Sequence, residues 1–164
     1  MAGQGNKRAN ARLAAAQALY QMDVTGKGIN EILAEFETHW IGQEIEGEQY
    51  RPAEVAFFRD TMAGVLADQV AIDQLIDNSL SDGWPLKRIE ALMRAILRAG
   101  TYELKKRKDI PPRVSIAEYV DVASAFFARE ESGMINAVLD VVGRKLRADE
   151  FDKNGSSKGH SAHK

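Results

Sequence analysis

The chain has 164 residues, 45% of them apolar, with 22 Lys+Arg against 24 Asp+Glu and a formal charge of −2. That length suits one domain, and the apolar share supports a packed core, which excludes wholesale disorder. The absence of cysteine excludes disulfides, thiolate nucleophiles, zinc knuckles and iron–sulfur ligation together, while a charge near zero argues at first sight against nucleic acid.

The N-terminal MAGQGNKRANAR is polar and basic with no apolar stretch behind it, so it is not a signal peptide. No run approaches the ~18–20 apolar residues of a membrane span. A cytoplasmic protein with no membrane partner is the expectation. Helical periodicity dominates from there on. Ala9, Leu13, Ala16, Tyr20 and Val24 step by four and three along one helix face, and Gly26 and Gly28 end that helix. Ile29, Ile32, Leu33, Phe36 and Trp40 mark a second. Pro52 suits a first helical position, and Val55, Phe58, Met62, Val65, Ile72 and Ile76 predict a long third helix. A cluster of turn formers, Ser81-Asp82-Gly83-Trp84-Pro85, breaks the pattern. The fourth helix runs from about Ile89 to Lys106 and cannot pass Pro111-Pro112. Ser115-Ile116-Ala117-Glu118 reads as a capping box opening a fifth on Ile116, Val120, Ala123 and Phe127. A turn around Ser132-Gly133 then leads into Ile135, Val138, Leu139, Val142 and Leu146. The expectation is an all-α fold of six main helices, with a short turn near the middle break. The helices form two three-helix sub-bundles packed into one domain over residues 7–148. A flexible stretch, 1–6, precedes the domain, and a disordered polar tail, 149–164, follows it.

The search for catalytic chemistry is negative. No phosphate-cradling glycine motif is present. His39 sits beside Trp40, and His160 and His163 lie in the tail, where a metal would need further ligands and a scaffold. Pairs such as Asp60 with Asp68, or Glu130 with Glu131, read as solvated helix-face charges. No catalytic residue, metal or cofactor is expected.

Charge patterning is more informative, because the small total hides segregation. Met1 to Met22 contains Lys7, Arg8 and Arg12 and no acid. Glu31 to Glu54 contains glutamates opposed by Arg51 alone. Gly83 to Arg113 is strongly basic, with Lys87, Arg88, Arg94, Arg98, Lys105 to Lys108 and Arg113. At about 100° per residue, Lys87, Arg94, Arg98 and Lys105 fall within about 20° of one line on the fourth helix. Leu92, Met93, Ile96, Leu97 and Leu104 fall roughly opposite. A solvated face laced with salt bridges would interleave glutamates at i,i+4. This stripe does not, which favours an anion-binding face. Arg8 and Arg12, one turn apart behind Lys7, form a basic arm suited to phosphate. Tyr20 lies at the edge of the apolar stripe, where it could pack or stack on a base.

In order along the chain, ARLAAAQALYQMD, FFRDTMAGV, RAILRAGTYEL, IPPRVSIAEYVDVA and INAVLDVV resemble the NusB family of bacterial transcription antitermination factors. The resemblance covers roughly Lys7 to Leu146, and the combination of ALY, FRD-x-x-x-G, ILR-x-x-x-YEL and N-x-VLD is its specific part. It implies two three-helix bundles, pairing with ribosomal protein NusE, and binding of single-stranded boxA RNA by the heterodimer. That complex would act within an RNA polymerase antitermination complex on ribosomal RNA operons. The family's arginine-rich RNA arm maps onto Lys7, Arg8 and Arg12, its RNA-contacting tyrosine onto Tyr20, and its helix-four arginine onto Arg98, with Arg94 beside it. An acidic position tied to RNA and NusE function becomes Glu130. An RNA-touching aromatic is replaced by Met134, and the N-x-VLD asparagine is Asn136. The arm is thinner than in some relatives, with Ala9 and Asn10 where arginines can stand, and Met93 replaces a common acid. Some relatives form homodimers that mask the RNA face, and the sequence leaves monomer and homodimer both open. Two other readings stand beside this one. The first is an RNA-binding module of the kind fused to ribosomal RNA cytosine methyltransferases, which expects an open reading frame continuing past Lys164. The second is a bundle that serves protein interaction alone.

Overall fold

The computed structural model describes residues 2–45, 52–80 and 89–151, with the backbone alone for 2–7, 39–45 and 52–53. Within them the chain forms α1 (Ala2–Thr25), α2 (Ile29–Ile45), α3 (Pro52–Ala67), α4 (Gln69–Asp77), α5 (Ala91–Lys106), α6 (Pro112–Ser124) and α7 (Arg129–Leu146). No strand occurs among the described residues. The helices α1, α2 and α3 pack as one group and α5, α6 and α7 as another, with α4 against α5 and α7. Both groups share one apolar core, because α1 lies along α5 as well as α3.

That double contact explains the composition of α1. Ala11, Ala14, Ala15, Ala16, Ala18 and Leu19 are all buried, since small side chains let neighbouring helices approach closely on two sides. The single stripe expected from the sequence is corrected accordingly: Tyr20 and Val24 are exposed. α1 ends at Gly26, whose φ of 77° is the left-handed conformation that favours glycine, and its N–H reaches the Met22 carbonyl at 2.9 Å.

The long third helix is in fact two. At Asp68 the backbone turns (φ −123°, ψ 21°), and its N–H is shared between the Gly64 and Val65 carbonyls. The Asp68 carboxylate does not cap α4; it accepts a 2.6 Å bond from Lys105 Nζ on α5. The bend lets Ile72 and Ile76 follow Met62 and Val65 into the same core.

Two further boundaries differ from expectation. α6 starts on Pro112, pre-organised for a first helical position, and the Ser115 hydroxyl points inward to Glu103 rather than capping. The turn expected at Ser132-Gly133 lies earlier, at residues 125–128. Those two residues belong to α7, whose first turn carries Glu130 and Glu131 and whose last carries Arg144 and Lys145, each favoured there by the helix dipole. The folded part also reaches past the expected boundary at 148. Residues 148–151 form a helical turn, and Phe151 is buried against Gly143 with the Arg113 and Arg144 guanidiniums over its ring. The α1 backbone likewise begins at Ala2, ahead of Lys7. Gly83-Trp84-Pro85, Lys87 and the tail histidines His160 and His163 lie outside the described residues.

The FRD-x-x-x-G and YEL motifs meet in space. Tyr102 donates from its hydroxyl to Asp60 Oδ2 at 2.8 Å. Its ring fills the space over Gly64, where a Cβ would overlap it. The leucine, Leu104, is fully buried, and the glutamate, Glu103, is the centre of the site described next.

Candidate nucleic-acid interface

α1 and α5 run antiparallel: Arg12 in the middle of α1 meets Glu103 near the end of α5, and Asp23 near the end of α1 meets Arg94 near the start of α5. The candidate residues divide between the two ends of this seam.

At the first end, Arg12 is 3% exposed and grips Glu103, itself 1% exposed, through Nε to Oε1 at 3.0 Å and Nη2 to Oε2 at 2.8 Å. A third bond runs from Arg12 Nη1 to Glu118 at 3.2 Å, and Ser115 Oγ donates to Glu103 at 2.7 Å. Burial works against the Arg12 charge, but the hydrogen bond and charge of Glu103 outweigh it and hold its pKa above the ordinary value. Tyr119 is fully buried beside the pair, and burial first, then the Glu103 charge, pushes its phenol well above the usual range. Arg12 is therefore not a surface cation, which corrects the expectation that it meets phosphate. The signal for this was present but ambiguous: Arg12 falls among alanines, and the only acid in the YEL segment is Glu103.

Arg8, one turn earlier, is different. It is half-buried, its guanidinium lies 5.1 Å from the Phe57 ring centre, and it makes no ion pair among the described residues. Arg8 and Arg12 line a recess of about 210 Å³ with Asp109, Ile110, Pro111, Val114 and Glu118. The Lys7 side chain lies outside the described residues.

The stripe on the fourth predicted helix is rewritten by its neighbours. Arg94 holds Asp23 at 2.6 Å and the Ile89 carbonyl at 2.7 Å. Arg98 grips both oxygens of Asp73 at 2.8 and 2.9 Å, and Lys105 holds Asp68. The missing i,i+4 glutamates did not mean free cations; the counter-charges come from α1, from α4 and from the bend between α3 and α4. The expectation of an open anion-binding stripe is corrected for these three residues.

At this second end Tyr20 is 38% exposed. Asn136 is exposed and makes no side-chain hydrogen bond among the described residues. Glu130 and Met134 line a groove of about 640 Å³, with Glu90, Met93, Phe127 and Val141 among its walls. The groove is apolar at its floor and acidic at its rim. Arg8 and Tyr20 are separated by about 18 Å along α1, at 1.5 Å per residue, so the structure does not gather the candidates into one patch.

Among the described residues there is no group of three or more metal-ligating side chains and no helix long and apolar enough to cross a membrane. The arrangement defines an all-helical module with one basic end and one apolar, acid-rimmed groove. A family model described as the NusB family matches residues 9–144, and the chain belongs to that family. It is 65% identical over 148 residues to the transcription antitermination protein NusB of Bradyrhizobium diazoefficiens, covering 90% of each chain. It is 63% identical over 146 residues to the protein of the same name from Nitrobacter hamburgensis, covering 89% of this chain and 91% of that one. Among solved structures, NusB of T. maritima matches with a TM-score of 0.74 at 28% identity, over 88% of this chain and 96% of that chain. A complex of antitermination factors NusB and NusE with double-stranded RNA matches with a TM-score of 0.71 at 21% identity, over 85% of this chain and 98% of that chain, a likeness of fold.

Proposed function

We propose that this chain is a transcription antitermination factor that binds boxA RNA as a heterodimer with ribosomal protein NusE and promotes processive transcription of ribosomal RNA operons in the bacterial cytoplasm. The observation that carries this reading is the 65% identity, over nine-tenths of both chains, to a protein named for antitermination. The chain acts by binding, without chemistry of its own. Tyr20 and Asn136 suit unpaired bases, which are read by stacking and by edge hydrogen bonds. Lys7 and Arg8 suit phosphates at the first end, and Arg94 and Arg98, towards the other end of the seam, are cations already partly neutralised. Glu130 and Met134 flank the RNA from the groove. Arg12 serves as a pin for α1. The test is a gel shift with labelled boxA RNA, NusE and this chain. The two proteins together should shift the RNA at concentrations where each alone does not. A mixture no better than either protein alone would sink the reading.

A further inference from the structure

The described cations sort by whether a carboxylate has claimed them. Arg12, Arg94, Arg98, Lys105 and Arg107 are all in ion pairs. Six make none among the described residues: Arg129 and Lys145 on α7, and Arg8, Lys106, Lys108 and Arg113. The last four share one end of the molecule: the first turns of α1, the last turn of α5, the α5–α6 connection and the first turn of α6. Lys106, Lys108 and Arg113 are exposed. Arg8 and Arg107 lie over the same Phe57 ring, at 5.1 and 4.9 Å, and the recess beside Arg8 is walled by residues 109–118.

The acids at this end are already committed. Asp60 and Asp109 are held by Arg107, and Glu118 and Glu103 by Arg12. The four cations therefore make no ion pair of their own, although Asp109 feels the Arg8 charge and Asp68 that of Lys106, and although the whole chain is slightly acidic. The connection that carries Lys108 is also held in place. Arg147, 4% exposed, donates to the carbonyls of Arg107 and Lys108 at 3.4 and 3.3 Å while Glu150 neutralises it at 2.8 Å. Clustered cations without ion pairs, on backbone held in place, are the footprint of a polyanion's backbone.

We propose that Arg8, Lys106, Lys108 and Arg113 form a phosphate track at the α1–α5–α6 end that takes the sugar–phosphate backbone of single-stranded RNA. The inference rests on the RNA-binding reading above and extends it to the α5–α6 connection. The track lies across the molecule from Tyr20 and Asn136, so one RNA strand would be read at one end and held by its backbone at the other.

The test is a salt titration of labelled boxA RNA binding to the full chain with NusE present, comparing wild type with the double variant K106S/K108S and with K27S, whose lysine is engaged by Glu35 elsewhere. Each phosphate contact on single-stranded nucleic acid contributes about 0.7 to the slope of log affinity against log salt. The double variant should lose about 1.4 from that slope and bind several-fold more weakly in dilute salt, with K27S unchanged and helicity intact by circular dichroism. Equal slopes for wild type and K106S/K108S overturn the track and leave the RNA reading standing. A wild-type chain that binds no RNA at any salt overturns both. Loss of NusE binding by K106S/K108S in the absence of RNA also overturns the track, assigning these lysines to an acidic protein surface.

Discussion

Arg12 and Arg98 are arginines facing the same α1–α5 seam, and the molecule uses them in opposite ways. Arg12 is inside, and its partner Glu103 is inside with it, so neither charge has water to fall back on. Arg98 stands at the rim with its side chain 13% exposed, and its partner Asp73 is 29% exposed. Both pairs are bidentate, yet the first is a commitment of the core and the second is an adjustable surface contact. The difference lies in what surrounds them. Around Arg12 the neighbours are alanines of α1, Phe57, Ser115 and Tyr119, which exclude solvent. Around Arg98 the neighbours include Asp23, Asp73 and open surface. Arg12 is thus a structural pin, while Arg8 one turn earlier stays half-buried without an ion pair among the described residues.

The largest effect should come from splitting the buried pair. Breaking one by deleting a single partner leaves an uncompensated charge and costs about 3–5 kcal/mol. Glu103→Ala should lower the unfolding free energy by that amount in a urea titration. Arg12→Met combined with Glu103→Leu should recover much of it, because well-packed apolar replacements of buried pairs are often neutral. Asp73→Ala should cost less, because Asp73 is 29% exposed and Arg98 keeps Asp23 at 3.9 Å. A Glu103→Ala loss as small as that of Asp73→Ala would erase the distinction between the two ends.

The same comparison can be sharpened from the surface side. Asp23→Asn with Asp73→Asn removes the carboxylates from Arg94 and Arg98 and should release both for RNA. If the paired state is what withholds them, boxA binding in dilute salt should tighten, and the salt slope should steepen by about 1.4 for two added phosphate contacts. The helical content should not change. An unchanged slope would show that Arg94 and Arg98 stay away from phosphate even when free.

How far the sequence foretold this depends on the kind of information each feature needs. The helical class, the core positions on α5 and the end of α1 at Gly26 follow from local periodicity and turn chemistry, and they stand in the structure. The bend at Asp68 was not legible, because what stabilises it is Lys105, distant in sequence. The Ser115 capping box failed for the same reason: Glu103 competes for its hydroxyl. Spacing of acids at i,i+4 along one helix is blind to Asp23, Asp68 and Asp73, which reach the cationic stripe from other elements. Tyr20, at the edge of the apolar stripe, lies exposed rather than packed, because α1 buries its alanines on two sides; Glu130 and Asn136 are exposed on α7. The separation of Tyr20 from Arg8, about 18 Å, follows from the rise along α1 alone. Periodicity reports which side of a helix is apolar; it does not report whose charge covers the other side.

The smallest effect is a pH dependence at the first end. Burial, then the hydrogen bond to Asp60, pushes the Tyr102 phenol up to about 12 from an ordinary value of 10. The folded state therefore keeps this proton at a pH where the unfolded chain releases it, and stability depends on pH in that window. The sign follows: the contribution is complete below pH 10 and is lost as the pH rises through 10 towards 12. Tyr102→Phe removes the titrating group, leaves the ring over Gly64, and costs about 1 kcal/mol at neutral pH for the lost hydrogen bond. Thermal unfolding measured between pH 9 and 11.5 should show the wild-type midpoint falling faster than that of Tyr102→Phe, so that the two converge at high pH. Parallel curves would mean that Tyr102 ionises equally readily in both states, and that the phenol is held less tightly against Asp60 than its 2.8 Å bond implies.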